Sequence, residues 1–83
     1  MMIKVVFFAA LREQLNCNEL SLPSEKIDTV SDIKALLQAK DEQWNLALTN
    51  HSLLIAVNHT MVDENHPIKP GDEVAFFPPV TGG

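Results

Sequence analysis

The chain has one cysteine, Cys17, in 83 residues. It can form no internal disulfide, and a reducing, intracellular setting is expected. It is also poor in positive charge, with 6 Lys and Arg against 11 Asp and Glu and a net charge of −5. No basic block is present, so a nucleic-acid footprint is excluded. The acidic balance suits solubility and attraction to a basic protein surface. No apolar run approaches the ~20 residues that span a membrane. Met1-Met2-Ile3-Lys4 leads into a strand-like run without the charged region, apolar stretch and cleavage site of a secretion signal. A cytoplasmic location, away from membranes, is expected. A Gly-rich phosphate loop of the Walker type is missing too, and Pro70-Gly71 is only a turn. A chain this short buries little more than ~60% of its unfolded surface. It forms one domain with little spare stability for a deep internal site. Any chemistry is expected to take place on a partner.

Glycine is scarce as well: there are three, and two of them are Gly82 and Gly83. At average usage a terminal pair arises in about one chain in 200. A frayed end or a cloning remnant is the plain alternative. What Gly-Gly offers is a carboxylate on a thin stalk without side chains, able to enter a narrow site on another protein.

Ile3 to Phe8 alternates Ile3, Val5 and Phe7 on one face with Lys4, Val6 and Phe8 on the other. Both faces are mostly apolar, which predicts a central strand. Ala9 to Leu15 favours a short helix, broken by Asn16-Cys17-Asn18, and Glu19 to Leu22 predicts a short strand ended by Pro23. Thr29-Val30-Ser31-Asp32 has the form of a capping box. Val30, Ile33, Leu36 and Leu37 then follow at helical spacing, giving the main helix, ending near Lys40. Trp44, Leu46 and Leu48 belong to a second short helical or turn segment, with Trp44 as a core anchor. Leu53 to Val57 predicts a strand, and Asn58-His59 joins it to Thr60-Met61-Val62 in a tight hairpin. Pro70-Gly71 fits the centre of a type II turn, and Glu73 to Phe77 is the last strand. Periodicity alone gives a small α+β domain, with the two most apolar strands, first and last, near the middle of the sheet.

Pro78-Pro79 cannot continue a central strand, and both prolines favour a stiff extended conformation. Residues 78 to 83 therefore project the terminal carboxylate by up to ~20 Å. A carboxylate is ionised at neutral pH and is a poor electrophile. It needs activation, most simply as an acyl-adenylate made from ATP, by an enzyme other than this chain.

The run Phe76-Phe77-Pro78-Pro79-Val80-Thr81-Gly82-Gly83, with Ile3-Lys4-Val5-Val6-Phe7-Phe8-Ala9 and Gly71-Asp72-Glu73-Val74-Ala75, resembles the small subunit of molybdopterin synthase along the whole chain. The resemblance implies an α+β, ubiquitin-like β-grasp fold. It has a mixed sheet of four to five strands, one main helix packed on one face and short extra helices. The domain spans residues 1–77 and the tail residues 78–83. It implies that an activating enzyme, using ATP and magnesium, adenylates Gly83. The adenylate becomes a thiocarboxylate, with sulfur supplied from cysteine through a sulfurtransferase. It implies a heterotetramer with the large catalytic subunit and sulfur donation to cyclic pyranopterin monophosphate, in two deliveries that build the dithiolene. The chain itself is then a non-catalytic sulfur donor that binds no cofactor or metal. Gly83 carries the sulfur, Gly82 keeps the end slender, and Phe77, Pro78, Pro79, Val80 and Thr81 meet the partner.

Phe76 and Phe77 point to opposite faces. Phe76 shares a face with Val74, so Phe77 is expected outward, in a partner patch with Pro79 and Val80. Cys17 lacks a neighbouring cation or histidine in sequence and is expected to be structural rather than a sulfur relay. His51, His59 and His66, spaced 8 and 7 apart, do not form a zinc pattern. Asp41-Glu42 and Asp63-Glu64 are expected as solvated turn charges, with docking on a basic partner as the alternative. Three other functions compete: a protein modifier joined through Gly83 to lysines, a sulfur carrier for thiamine synthesis, and a β-grasp binding module.

Overall fold

The computed structural model describes residues 1–49 and 53–78. The elements in order are β1 (Met2–Phe7), α1 (Ala9–Leu15), β2 (Glu19–Pro23), a 3₁₀ turn (Ser24–Lys26), α2 (Val30–Gln38), α3 (Glu42–Leu48), β3 (Leu54–Val57), β4 (Thr60–Val62) and β5 (Glu73–Phe77). The five strands form one sheet in the order β2-β1-β5-β3-β4. β1 and β5 run parallel in its interior, and the other neighbours are antiparallel. First and last strands side by side, with helices over one face, make the ubiquitin-like β-grasp that the resemblance implies.

Strand alternation builds the core. Ile3, Val5 and Phe7 of β1, Ile55 and Val57 of β3, and Val74 and Phe76 of β5 are buried in one cluster. Val30, Ile33 and Leu37 of α2, Leu11 and Leu15 of α1, and Trp44, Ala47 and Leu48 of α3 close over them. Phe7 stands edge-on to Trp44 at 5.4 Å and stacks with Phe76 at 6.1 Å. Such pairs add about 0.5–1.5 kcal/mol beyond the area they bury. Trp44 is the core anchor that the sequence predicts.

Local chemistry sets the boundaries. Asp32 accepts the backbone N–H groups of Asp28 (2.8 Å) and Thr29 (3.1 Å), so the carboxylate half of the capping box starts α2. Asp41 caps α3 by accepting the Trp44 N–H at 3.0 Å. Asn58 and His59 both have left-handed backbones, φ 50° and 71°, as a two-residue type I′ hairpin demands. Gly71 has φ 90°, and the Asp72 N–H donates to the Lys69 carbonyl at 3.1 Å, in keeping with a type II turn.

Several expectations need correction. β1 ends at Phe7, and Phe8 instead caps α1, because Ala9 takes φ 54° and turns the chain sharply. β3 begins at Leu54 rather than Leu53. α2 stops at Gln38, since the chain must turn before Asp41 starts the next helix. Leu36 is 39% exposed and Leu46 64% exposed. Leu36 lies about 100° round the helix from Leu37, at the margin of the stripe that faces the sheet. Leu46 sits between Trp44 and Ala47–Leu48 on the side of α3 turned from the core.

Candidate docking face and tail root

All three helices pack on one side of the sheet, and no described element covers the other, open side. Register sorts the open side into three rows. The first is charged: Lys4 of β1 lies opposite Glu73 of β5. The second is apolar and crosses four strands, pairing Val6 with Ala75, Ala75 with Ala56, and Ala56 with Met61. The third is formed by Phe8, Phe77 and Leu54. The Phe8 and Phe77 rings are 5.3 Å apart, and Phe77 is opposite Leu54. The two alanines lie at the centre and the larger side chains around them, so the face is dished. Its shallow hollow holds about 370 Å³. Met61 is 55% exposed and Phe8 44% exposed, although both are large and apolar. A contiguous apolar patch of this kind marks an interaction site.

The rows end where the tail begins. β5 carries Glu73 at one end and Phe77 at the other, and Pro78 follows, half-buried. The Phe8 N–H donates to the Phe76 carbonyl at 3.2 Å, holding the last turn of the ladder beside the tail root. The other end of β5 is held by Asn58. Its side-chain amide donates to Asp72 at 2.9 Å, its oxygen accepts the Glu73 N–H at 3.0 Å, and its own N–H donates to the Glu73 carbonyl at 2.8 Å. Asp72 also accepts the Lys69 N–H at 2.8 Å. That backbone bond, aided by the Asn58 amide and by the positive charges of Lys69 and His66, holds the Asp72 carboxyl below its ordinary range. Asp32 is likewise lowered, first by the Asp28 N–H and then by that of Thr29.

Among the expected site residues, Phe77 lies on the open face and is half-buried, while Phe76 is fully buried, as the shared face with Val74 predicts. Pro78 continues from it. Pro79, Val80, Thr81, Gly82, Gly83 and His51 lie outside the described residues. Cys17 is half-buried against the core, and its thiol donates to the Glu19 carbonyl at 3.4 Å. His59 sits at the hairpin tip, 3.5 Å from Glu73, and the His66 carbonyl accepts the Val30 N–H at 3.1 Å. No group of three or more potential metal ligands occurs among the described residues. The acidic pairs have local tasks: Asp41 caps α3, Asp63 accepts the Asn65 N–H at 2.9 Å, and Glu64 meets Lys34 at 2.8 Å.

Sequence reasoning did not assign Val6, Phe8, Ala56, Met61 and Ala75 to one surface. The signal was available in β1 and β5, which are apolar on both faces, while the helices can cover only one.

The sequence pattern described as the ThiS family matches residues 5–83. The chain belongs to the ThiS family. Among its family relatives is the molybdopterin synthase sulfur carrier subunit of Escherichia coli (strain K12), 46% identical over 82 residues, covering 99% of this chain and all of the relative. The fold matches one chain of a solved protein–protein complex of subunits 1 and 2 of the molybdopterin-converting factor from Helicobacter pylori 26695, at a TM-score of 0.72 and 30% identity, covering all of this chain and all of that one. It also matches the small archaeal modifier protein 1 of Methanosarcina acetivorans, at a TM-score of 0.74 and 27% identity over 99% of this chain and 96% of that one. The resemblance drawn along the whole chain from Ile3–Ala9, Gly71–Ala75 and Phe76–Gly83 agrees with these matches.

Proposed function

We propose that this chain is the sulfur-carrier small subunit of molybdopterin synthase and that Gly83 is its point of attachment. The supporting observation is the 46% identity, end to end, with a protein named for that role. In this reading an activating enzyme uses ATP and magnesium to join the Gly83 carboxylate to AMP, releasing pyrophosphate. A sulfur nucleophile displaces AMP and leaves a thiocarboxylate. The tail, Pro78 to Gly83, enters the large catalytic subunit. There the sulfur attacks cyclic pyranopterin monophosphate, and hydrolysis of the resulting thioester returns the carboxylate. Two deliveries complete the dithiolene.

This chain's own part is mechanical. The open face, ending in Phe8 and Phe77, docks on the partner and fixes where the tail starts. Pro78 and Pro79 stiffen its first steps, which lowers the entropy lost on insertion. Gly82 and Gly83 put no side chain beside the attacked carbonyl. Catalysis belongs to the large subunit, the assembly is a heterotetramer, and the chain works in the cytoplasm without a cofactor of its own. Among the described residues no helix is long and apolar enough to cross a membrane.

Intact mass spectrometry of protein made in cells tests this. One oxygen replaced by sulfur at Gly83 is expected, and deleting Gly83 should leave folding unchanged and abolish molybdopterin formation with the large subunit. A truncated chain that still supports the reaction would overturn the role of Gly83. A modifier function shares the fold, as the archaeal relative illustrates. Isopeptide-linked adducts without thiocarboxylate would establish that reading instead.

A further inference from the structure

We infer that the charged row on the open face is an orienting edge, built to take an arginine or lysine side chain of the large subunit above Glu73. The inference rests on the reading that this face receives the large subunit. Lys4 Nζ lies 3.6 Å from Glu19 Oε2 and 3.6 Å from Glu73 Oε2, and His59 Nε2 lies 3.5 Å from Glu73 Oε1. The row thus runs from β1 through β5 to the tip of the β3–β4 hairpin, and Lys4 reaches diagonally to Glu19, which lies opposite Val6 on β2. The side chains of Lys4, Glu19 and His59 are about half exposed or more and that of Glu73 is 34% exposed, and solvated pairs of this kind contribute little to stability. Holding the fold together does not explain it.

Its position does. The row borders the apolar hollow on the side away from the tail. Burial of apolar area is non-directional. A partner rotated about the normal to the sheet would cover the same side chains and leave the tail pointing the wrong way. Charge along one border removes that freedom, because an inverted partner would set its cations over Phe8 and Phe77. With His59 counted as neutral the sign is negative, since one lysine faces two carboxylates in a chain of net charge −5. Glu73 is the natural anchor. It is at the centre of the row, its N–H is fixed by Asn58 at 3.0 Å, and it shares β5 with Phe77. Four steps along a strand separate the two, about 13 Å. One rigid rod therefore links the orienting charge to the tail root.

The test measures association and dissociation of the full chain and the large subunit at low and high ionic strength. Glu73→Gln should slow association about tenfold at low ionic strength, and the difference should vanish at high. Lys4→Gln exposes both carboxylates and should speed association by roughly threefold, a gain that damage to the fold cannot produce. Phe77→Ala should speed dissociation at both ionic strengths. If Phe77→Ala has its effect while Glu73→Gln and Lys4→Gln leave the rates unchanged, or shift them in the same direction, the orienting edge is wrong and the docking face stands. If Phe77→Ala also binds like the parent, the docking face itself falls.

Discussion

On the inner side of the sheet Phe7 and Phe76 stack at 6.1 Å beneath Trp44. On the outer side Phe8 and Phe77, each one residue further along the chain, pair at 5.3 Å. The inner pair is closed off by helices and is part of the core, whereas the outer pair borders an open hollow. The residue type is the same and the distances are similar, so composition does not separate them. The difference comes from topology, because α1, α2 and α3 all pack on one side. An apolar outer face costs solubility and adds little to folding, so its presence fits a surface covered in an assembly.

Five variants would break or sharpen this contrast, the two phenylalanines being read as one pair. Phe76→Ala should destabilise the chain by about 3–5 kcal/mol in denaturant unfolding, enough to unfold much of a small domain. Phe77→Ala should cost far less stability but at least ~2 kcal/mol of affinity for the large subunit, read by calorimetry. Equal losses of stability would dissolve the contrast. Met61→Asp, on the outer face, should change stability by no more than ~0.5 kcal/mol, yet abolish detectable complex formation in gel filtration. Acid titration comes third. Asp72 has a lowered pKa in the folded state, so its contribution is present above the ordinary carboxylate range near ~3.9 and is lost as pH falls through the lower folded value. Asp72→Asn should therefore lower stability at neutral pH and flatten the acid limb of a melting-temperature profile, while the parent keeps its slope. The smallest effect is expected from His59→Gly. A left-handed residue with a side chain is strained, and relieving φ 71° should raise stability by up to ~1 kcal/mol without altering the inner face.

Most of the architecture was legible from pattern. Ile3, Val5 and Phe7 announce β1, the Thr29–Asp32 capping box announces α2, and Asn58 announces the hairpin, because each uses local chemistry that works wherever it occurs. The orientation of Phe76 and Phe77 followed from Val74. Other features depend on what the chain meets at long range. Leu36 and Leu46 have helical spacing but lie beyond the width of sheet available to cover them. The left-handed turn at Ala9 has no signal in its residue type, because it arises from the need to leave β1 and start α1 while the Phe8 N–H still bonds to β5. The open face was hidden for the same reason. Alternation reported that both faces of β1 are apolar, which placed the strand centrally in the sheet but did not gather the outer side chains into one surface. The roles proposed for Pro79 to Gly83 were readable only as a motif.

The place of β5 between β1 and β3 has a consequence for timing. β5 follows the other four strands in sequence and is inserted between two of them, and such distant pairings are slow to form. A nascent chain lacking β5 has two unsatisfied strand edges and no finished platform. In the reading proposed above, a copy whose β5 has not docked offers a partner neither the apolar row that Ala75 completes nor the fixed strand that ends at Phe77.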